Sequence, residues 1–302
     1  MIVFLSKDAS ISWVHKYHNA YLSNTLNSSQ NKILRKYTSI DSFCEHIQEV
    51  TPREKRSIQT AIQSIQQKCW TWKCLVARPT WTVIGVDNQV DGSMPHTIHS
   101  AIIMPHWLRA HLCDSTHSAA YTDAIETLIH EQIHCLQKMY PPHFDKLYTL
   151  WGYKQLHHYP HYEHTIRDLK QQFPQRTNPD TPTEWVLRNK WYQAVVFKDA
   201  PTSLTDVSYV LIDLQGYAAD VSDRKQHVMV NQDATSWFTD LFGTTKHCYH
   251  PDETSAVLLA NLIYQDFEKC ASASSAKRKQ PPGKTSPAED ILIKWVHSCD
   301  RL

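Results

Sequence analysis

Ten consecutive residues, Thr127-Leu128-Ile129-His130-Glu131-Gln132-Ile133-His134-Cys135-Leu136, constrain this chain more than any others. Two histidines four apart reach a common point only if the segment is an α-helix, which stacks positions i and i+4 on one face. The glutamate after the first histidine then lies beside any metal the imidazoles hold, where it can take a proton from a water. This is the H-E-x-x-H arrangement of zinc hydrolases, above all metallopeptidases. The chain carries 19 histidines, so the surroundings must support the motif, and they do. Ile125, Leu128, Ile129, Ile133 and Leu136 recur at helical spacing. Thr122 or Asp123, with Glu126 in a capping box, can open the helix, and Pro141-Pro142 closes it. A helix from Thr122 to Tyr140 is expected. Cys135 sits roughly 100° round from His134 and reads as packing.

A chain of 302 residues can bury a full core. The net charge of +1 gives no electrostatic footprint for nucleic acid or an acidic membrane. Six glycines and no Gly-x-Gly-x-x-Gly or P-loop argue against a nucleotide binder. No apolar run approaches the roughly 20 residues that span a bilayer. The start, Met1 to Asp8, lacks the basic region of a secretory signal. The eight cysteines contain no Cys-x-x-Cys pair and read as reduced thiols. A cytoplasmic protein is expected, acting on a protein or peptide, without nucleic-acid or membrane partners.

Ile11 to Leu26 and Ile33 to Val50 read as helices, and Pro52 opens another towards Gln67, its charged run 53–56 a solvated first turn. Trp70, Trp72, Leu75 and then Trp81 to Asp87 read as β-rich. Thr97 to Met104 reads as a second strand, forming a hairpin with the first or lying beside it. In zinc peptidases the strand beside the metal helix commonly edges the cleft, where an extended substrate can pair with it. Residues 97–104 are the candidate. The segment His157, His158, His161, Glu163, His164 reads as a His-rich packed loop, with a second metal site as the alternative. Val207 to Leu214 is strand-like. Residues 271–289 read as a flexible connector and 290–302 as a docking helix, leaving 1–270 as one catalytic domain with a helical part (1–70) and a metal-site core (71–270).

A catalytic zinc usually has three protein ligands and an open position. The long metzincin pattern would need glycine and histidine past His134, where Gln137, Tyr140 and Pro141 stand. The better source is His250-Pro251-Asp252-Glu253, with Pro251 at the first helical position and Ala256 small enough to let two helices approach. Glu253 fits best as third ligand, with Asp252 or His250 as substitutes and Cys248 a weaker extra. An oxyanion donor could be His96, Arg176, Tyr217, Tyr249 or His250, with His96 and His250 first.

The ordered set Met94-Pro95-His96-Thr97, Ile102-Ile103-Met104-Pro105, the H-E-x-x-H helix, Arg176-Thr177-Asn178-Pro179-Asp180 and His250-Pro251-Asp252-Glu253 resembles a family of gluzincin-like zinc metallopeptidases of large DNA viruses and some protists. The resemblance runs from about residue 80 to 265. It implies one Zn2+ per chain on His130, His134 and Glu253, with Glu131 as general base in peptide-bond hydrolysis. It also implies a host-cytoplasmic or virion setting. The expected fold is α+β and zincin-like: mainly helical, with a small mixed sheet whose edge strand precedes the H-E-x-x-H helix. The competing expectation is a catalytically inactive zincin scaffold with a structural or partner-binding role.

Overall fold

Trp81-Thr82-Val83-Ile84-Gly85-Val86 is buried at every position, the signature of a strand covered on both faces. In the computed structural model this strand, β3 (Trp81–Val86), is central to a mixed sheet. The structure describes residues 1–25, 37, 39–114, 118–172, 183–197, 207–219, 228–230, 236–243, 250–272 and 285–299. On one side β1 (Ile2–Phe4) pairs parallel with Trp81–Val83 of β3, and β2 (Ile47–Gln48) pairs antiparallel with Gly85 and Val86 of the same strand. On the other side lie parallel β5 (Ala101–Met104) and antiparallel β4 (His96–Ile98), which ends the order β1-β3-β5-β4.

The single strand expected over 97–104 is thus two. The chain folds back at His99, whose φ is +55°, and Ser100. β5 is paired on both sides, so of these two strands β4 is the one at an edge. β3 and β5 are neighbours and not a hairpin.

The helices are α1 (Lys7–Thr25), α2 (Ile40–Cys44), α3 (Pro52–Lys68), α4 (Lys73–Val76), α5 (His106–His111) and α6 (Ala119–Met139). They continue with α7 (Pro141–Leu150), α8 (Glu163–Gln172), α9 (Leu214–Ala219), α10 (Ser236–Phe242), α11 (Pro251–Ser272) and α12 (Pro287–Ser298). α6 begins a turn earlier than expected, because the Ser118 hydroxyl accepts from the Tyr121 amide at 3.0 Å. Only α2 and β2 occupy the described part of the helix expected over 33–50. Trp70–Trp72 is a 3-10 turn running into α4, not a strand.

The sheet separates two cores. Val83, Ile102 and Met104 face the larger one, with α3, α6, α7, α11 and α12. Ile84, Ile98, Ala101 and Ile103 face a smaller one with Val14 of α1 and Phe43 of α2.

A second sheet, antiparallel in the order β10-β9-β8-β7-β6, comprises β6 (Tyr153–Gln155), β7 (Trp185–Leu187), β8 (Trp191–Phe197), β9 (Val207–Asp213) and β10 (Val228–Val230). α8 and α9 cover it through Ile166, Leu169 and Tyr217. The architecture is α+β with two sheets where one was expected. α12 docks on the larger core, with Trp295 against Phe144 at 5.0 Å and the Trp151 indole donating to the Ala288 carbonyl. Of the expected connector, 273–284 lies outside the described residues, while Ser286 and Glu289 form the capping box of α12. Among the described residues no helix is long and apolar enough to cross a membrane.

Candidate metal centre

The apolar stripe of α6 is fully buried at Ile125, Leu128, Ile129 and Ile133, which fixes the rotation of the helix about its axis. α11 packs along it through buried Ala256, Leu259 and Ile263. Pro251 opens α11, and His250 caps it: its Nδ1 accepts from the Asp252 amide at 3.2 Å, and its Nε2–H donates to the Thr183 carbonyl at 2.9 Å. Glu253 therefore stands in the first turn of α11, opposite the two histidines.

The three side chains converge. His130 Nε2 and His134 Nε2 are 2.9 Å apart, and Glu253 Oε2 lies 3.4 Å from the first and 3.5 Å from the second. Donor atoms about 2.0–2.1 Å from a tetrahedral zinc stand about 3.3–3.4 Å from one another. The triangle thus approximates one face of such a tetrahedron. Among the described residues it is the group of His, Cys, Asp and Glu that could hold a metal ion. His134 and Glu253 are buried, whereas the His130 side chain is 22 % exposed, so the group opens to solvent over His130. Burial alone would raise the Glu253 carboxyl. The imidazoles of His134 and His130 outweigh it and hold the group well below the usual carboxylate range.

Gln137, one turn past His134, was read in the sequence only as a non-ligand. Its Oε1 accepts from His134 Nδ1–H at 2.7 Å, and its Nε2 donates to the Asp252 carbonyl and to Ser255 Oγ, both at 2.8 Å. A histidine that donates from Nδ1 presents the Nε2 lone pair to a metal. Gln137 also ties α6 to α11. Its i+3 position from His134 was the available signal, since that spacing puts it within reach on the same helix face.

Glu131 follows His130 on α6 and is buried. Asp252 faces away from the triangle. It approaches the fully buried Tyr148, whose hydroxyl is pushed well above its ordinary value by burial and then by Asp252. Glu253, not Asp252 or His250, joins the histidines.

The structure does not bring the other predicted residues to the centre. His96 pairs with Ile103 across β4 and β5, so it shares the sheet face of the smaller core, opposite α6. There its Nε2 lies 3.5 Å from Asp91, which accepts from the Tyr37 hydroxyl at 2.9 Å. Strand parity decides this, and the residue pattern around His96 does not reveal it. His250 has both ring nitrogens committed, Nδ1 to the cap of α11 and Nε2 to the Thr183 carbonyl. Tyr217 belongs to the core of the second sheet. Arg176, Cys248 and Tyr249 lie outside the described residues. Residues 156–158 and 160–162 form two 3-10 turns, and among the described residues the histidines there form no second metal group. Cys135 is packed in the larger core as expected.

Set against known proteins, the chain matches no family model, and no curated protein or solved structure is significantly similar to it.

Proposed function

We propose that this chain is a zinc metallopeptidase of gluzincin type, hydrolysing peptide bonds with Glu131 as general base. The observation that carries this is the convergence of His130, His134 and Glu253 from two helices, with Glu131 following the first histidine in the sequence of the same helix. Two imidazoles and one carboxylate suit zinc, and three protein donors leave a coordination position for chemistry. Zinc, when bound, supplies the Lewis acidity that makes a water nucleophilic near neutral pH.

The chain's own groups do the rest. Glu131 takes the proton from the attacking water and returns it to the leaving amine. Gln137 holds His134 in the tautomer that ligates. β4 is the edge along which an extended peptide would lie. It sits against the end of α6, where Lys138 Nζ donates to the Thr97 carbonyl and hydroxyl, both at 2.7 Å. The resemblance of the ordered motifs to zinc metallopeptidases of large DNA viruses supports the same reading, and with it we infer a viral origin and a cytoplasmic or virion setting.

The test is Glu131→Gln. The variant should keep its zinc and its thermal stability while peptide hydrolysis falls by about 10²–10⁴. Equal turnover in wild type and variant would contradict the assignment.

A further inference from the structure

A recess of about 200 Å³ adjoins the centre through Gln137 and Asp252, neighbours of the ligands. Its inner wall is Gln137, which holds His134, and Asp252, which adjoins Glu253. We propose that this recess is the subsite that receives a lysine or arginine side chain of the polypeptide substrate. The proposal rests on the peptidase reading and names the substrate class it serves.

Two carboxylates, Asp145 and Asp252, line the recess, and its apolar walls are Phe144, Tyr148 and Trp185. Among the described residues no lysine or arginine pairs with Asp145. Among the described residues its carboxylate accepts one hydrogen bond from another side chain, from the Gln155 amide at 3.4 Å. Burial, and then the charge of Asp252, push the Asp145 carboxyl above its ordinary value. The one cationic side chain on the lining, Lys138, directs its ammonium at Thr97 of β4.

Aromatic and aliphatic walls below a pair of carboxylates match a side chain with an apolar stem and a charged head. They match a bare divalent cation poorly, since calcium needs six to eight oxygen donors. Asp145, Gln155 and Trp185 are shared with a second recess of about 580 Å³, whose lining includes His157 and His158. The two recesses therefore adjoin, and the larger one has room for further residues of a peptide. The histidine-rich turn after β6, which holds no metal group among the described residues, borders the larger recess.

The experiment is fluorescence anisotropy on the full-length Glu131→Gln protein in the presence of zinc, so that peptide is bound without turnover. Labelled peptides identical except for one residue, arginine or norleucine, are compared with that residue moved stepwise along the peptide. At one position the arginine peptide should bind about tenfold tighter. Adding Asp145→Asn should bring the pair within about twofold, and Asp145→Glu should retain the preference. Absence of an arginine preference at every position, or its survival in Asp145→Asn, overturns the proposal. Cleavage of the same peptides by wild type is read separately. Selective binding without cleavage would count against the peptidase and leave the subsite standing, and cleavage without selectivity would do the reverse.

Discussion

His134 can ligate through either ring nitrogen, and a neighbouring side chain makes the choice. Gln137 has its own orientation fixed, because the Asp252 carbonyl can only accept and so must face the amide nitrogen. Its oxygen is then left for His134 Nδ1–H. Gln137→Leu should weaken metal binding by about 10- to 100-fold in chelator competition, with helix content unchanged. Gln137→Glu, which keeps the acceptor for His134 but sets a second acceptor against the Asp252 carbonyl, should recover only part of it. Equal affinity in all three would remove Gln137 from the site. At this scale the histidines and Glu131 were legible because i, i+4 geometry is local. Glu253 was legible as the favoured acid, and the cap formed by His250 explains why Asp252 does not compete: it begins the helix so that residue 253, not 252, faces α6. His96 was misjudged because one residue of strand parity reverses the face a side chain occupies.

The elements that carry α6 are joined by one buried arginine. Arg109 of α5 is 1 % exposed. It donates to Glu54 of α3 at 3.0 Å, to the Val86 and Met104 carbonyls at 2.8 and 2.6 Å, and to Gln48 of β2 at 2.9 Å. A single side chain thus closes the ends of β2, β3 and β5. Gly85 makes room for it, since a Cβ there would stand 2.8 Å from the Gln48 carbonyl oxygen and 3.1 Å from Arg109 Nη1. Gly85→Ala should therefore destabilise the protein by about 1–3 kcal/mol in denaturant titration, a range typical of overpacking. An unchanged midpoint would contradict the crowding.

The same junction predicts an acid response. Burial alone would raise the Glu54 carboxyl, but the Thr51 amide and hydroxyl and the Arg109 guanidinium outweigh it and hold the group below its ordinary value. The unfolded chain then takes up the proton first. The stabilisation is complete above the unfolded carboxylate range and is lost as pH falls through the folded value. Between about pH 5 and pH 3, wild type should lose stability more steeply than Glu54→Gln; parallel pH curves would count against it. Charge patterning had read residues 53–56 as a solvated turn, because the partner of Glu54 lies 55 positions away and leaves no local trace. Helices with a clear apolar period, α3, α6 and α12, were legible to within a few residues. The break at His99 was not, because a strand and a tight turn between strands share their residue types.

Over the whole molecule, the larger core runs from α3 through the first sheet to α12, so both ends of the chain brace the helix pair that carries the site. The C-terminal helix was legible from its return to apolar periodicity after a polar stretch. The second sheet was mostly illegible. Of its strands only Val207–Asp213 showed a clean pattern, while β6 to β8 are short and mix aromatic with polar residues, and their pairing is set by partners distant in sequence. The position of this sheet matters because Trp185 and Gln155 extend the wall of the site outward from α7. The central claim is that α6 and α11 together build one metal site. Elemental analysis of purified protein, wild type beside His134→Ala and Glu253→Ala, tests it most directly. The account predicts one zinc per chain in wild type and loss of most of it in either variant. Stoichiometric zinc retained in both variants, or none bound by wild type supplied with zinc, would contradict it.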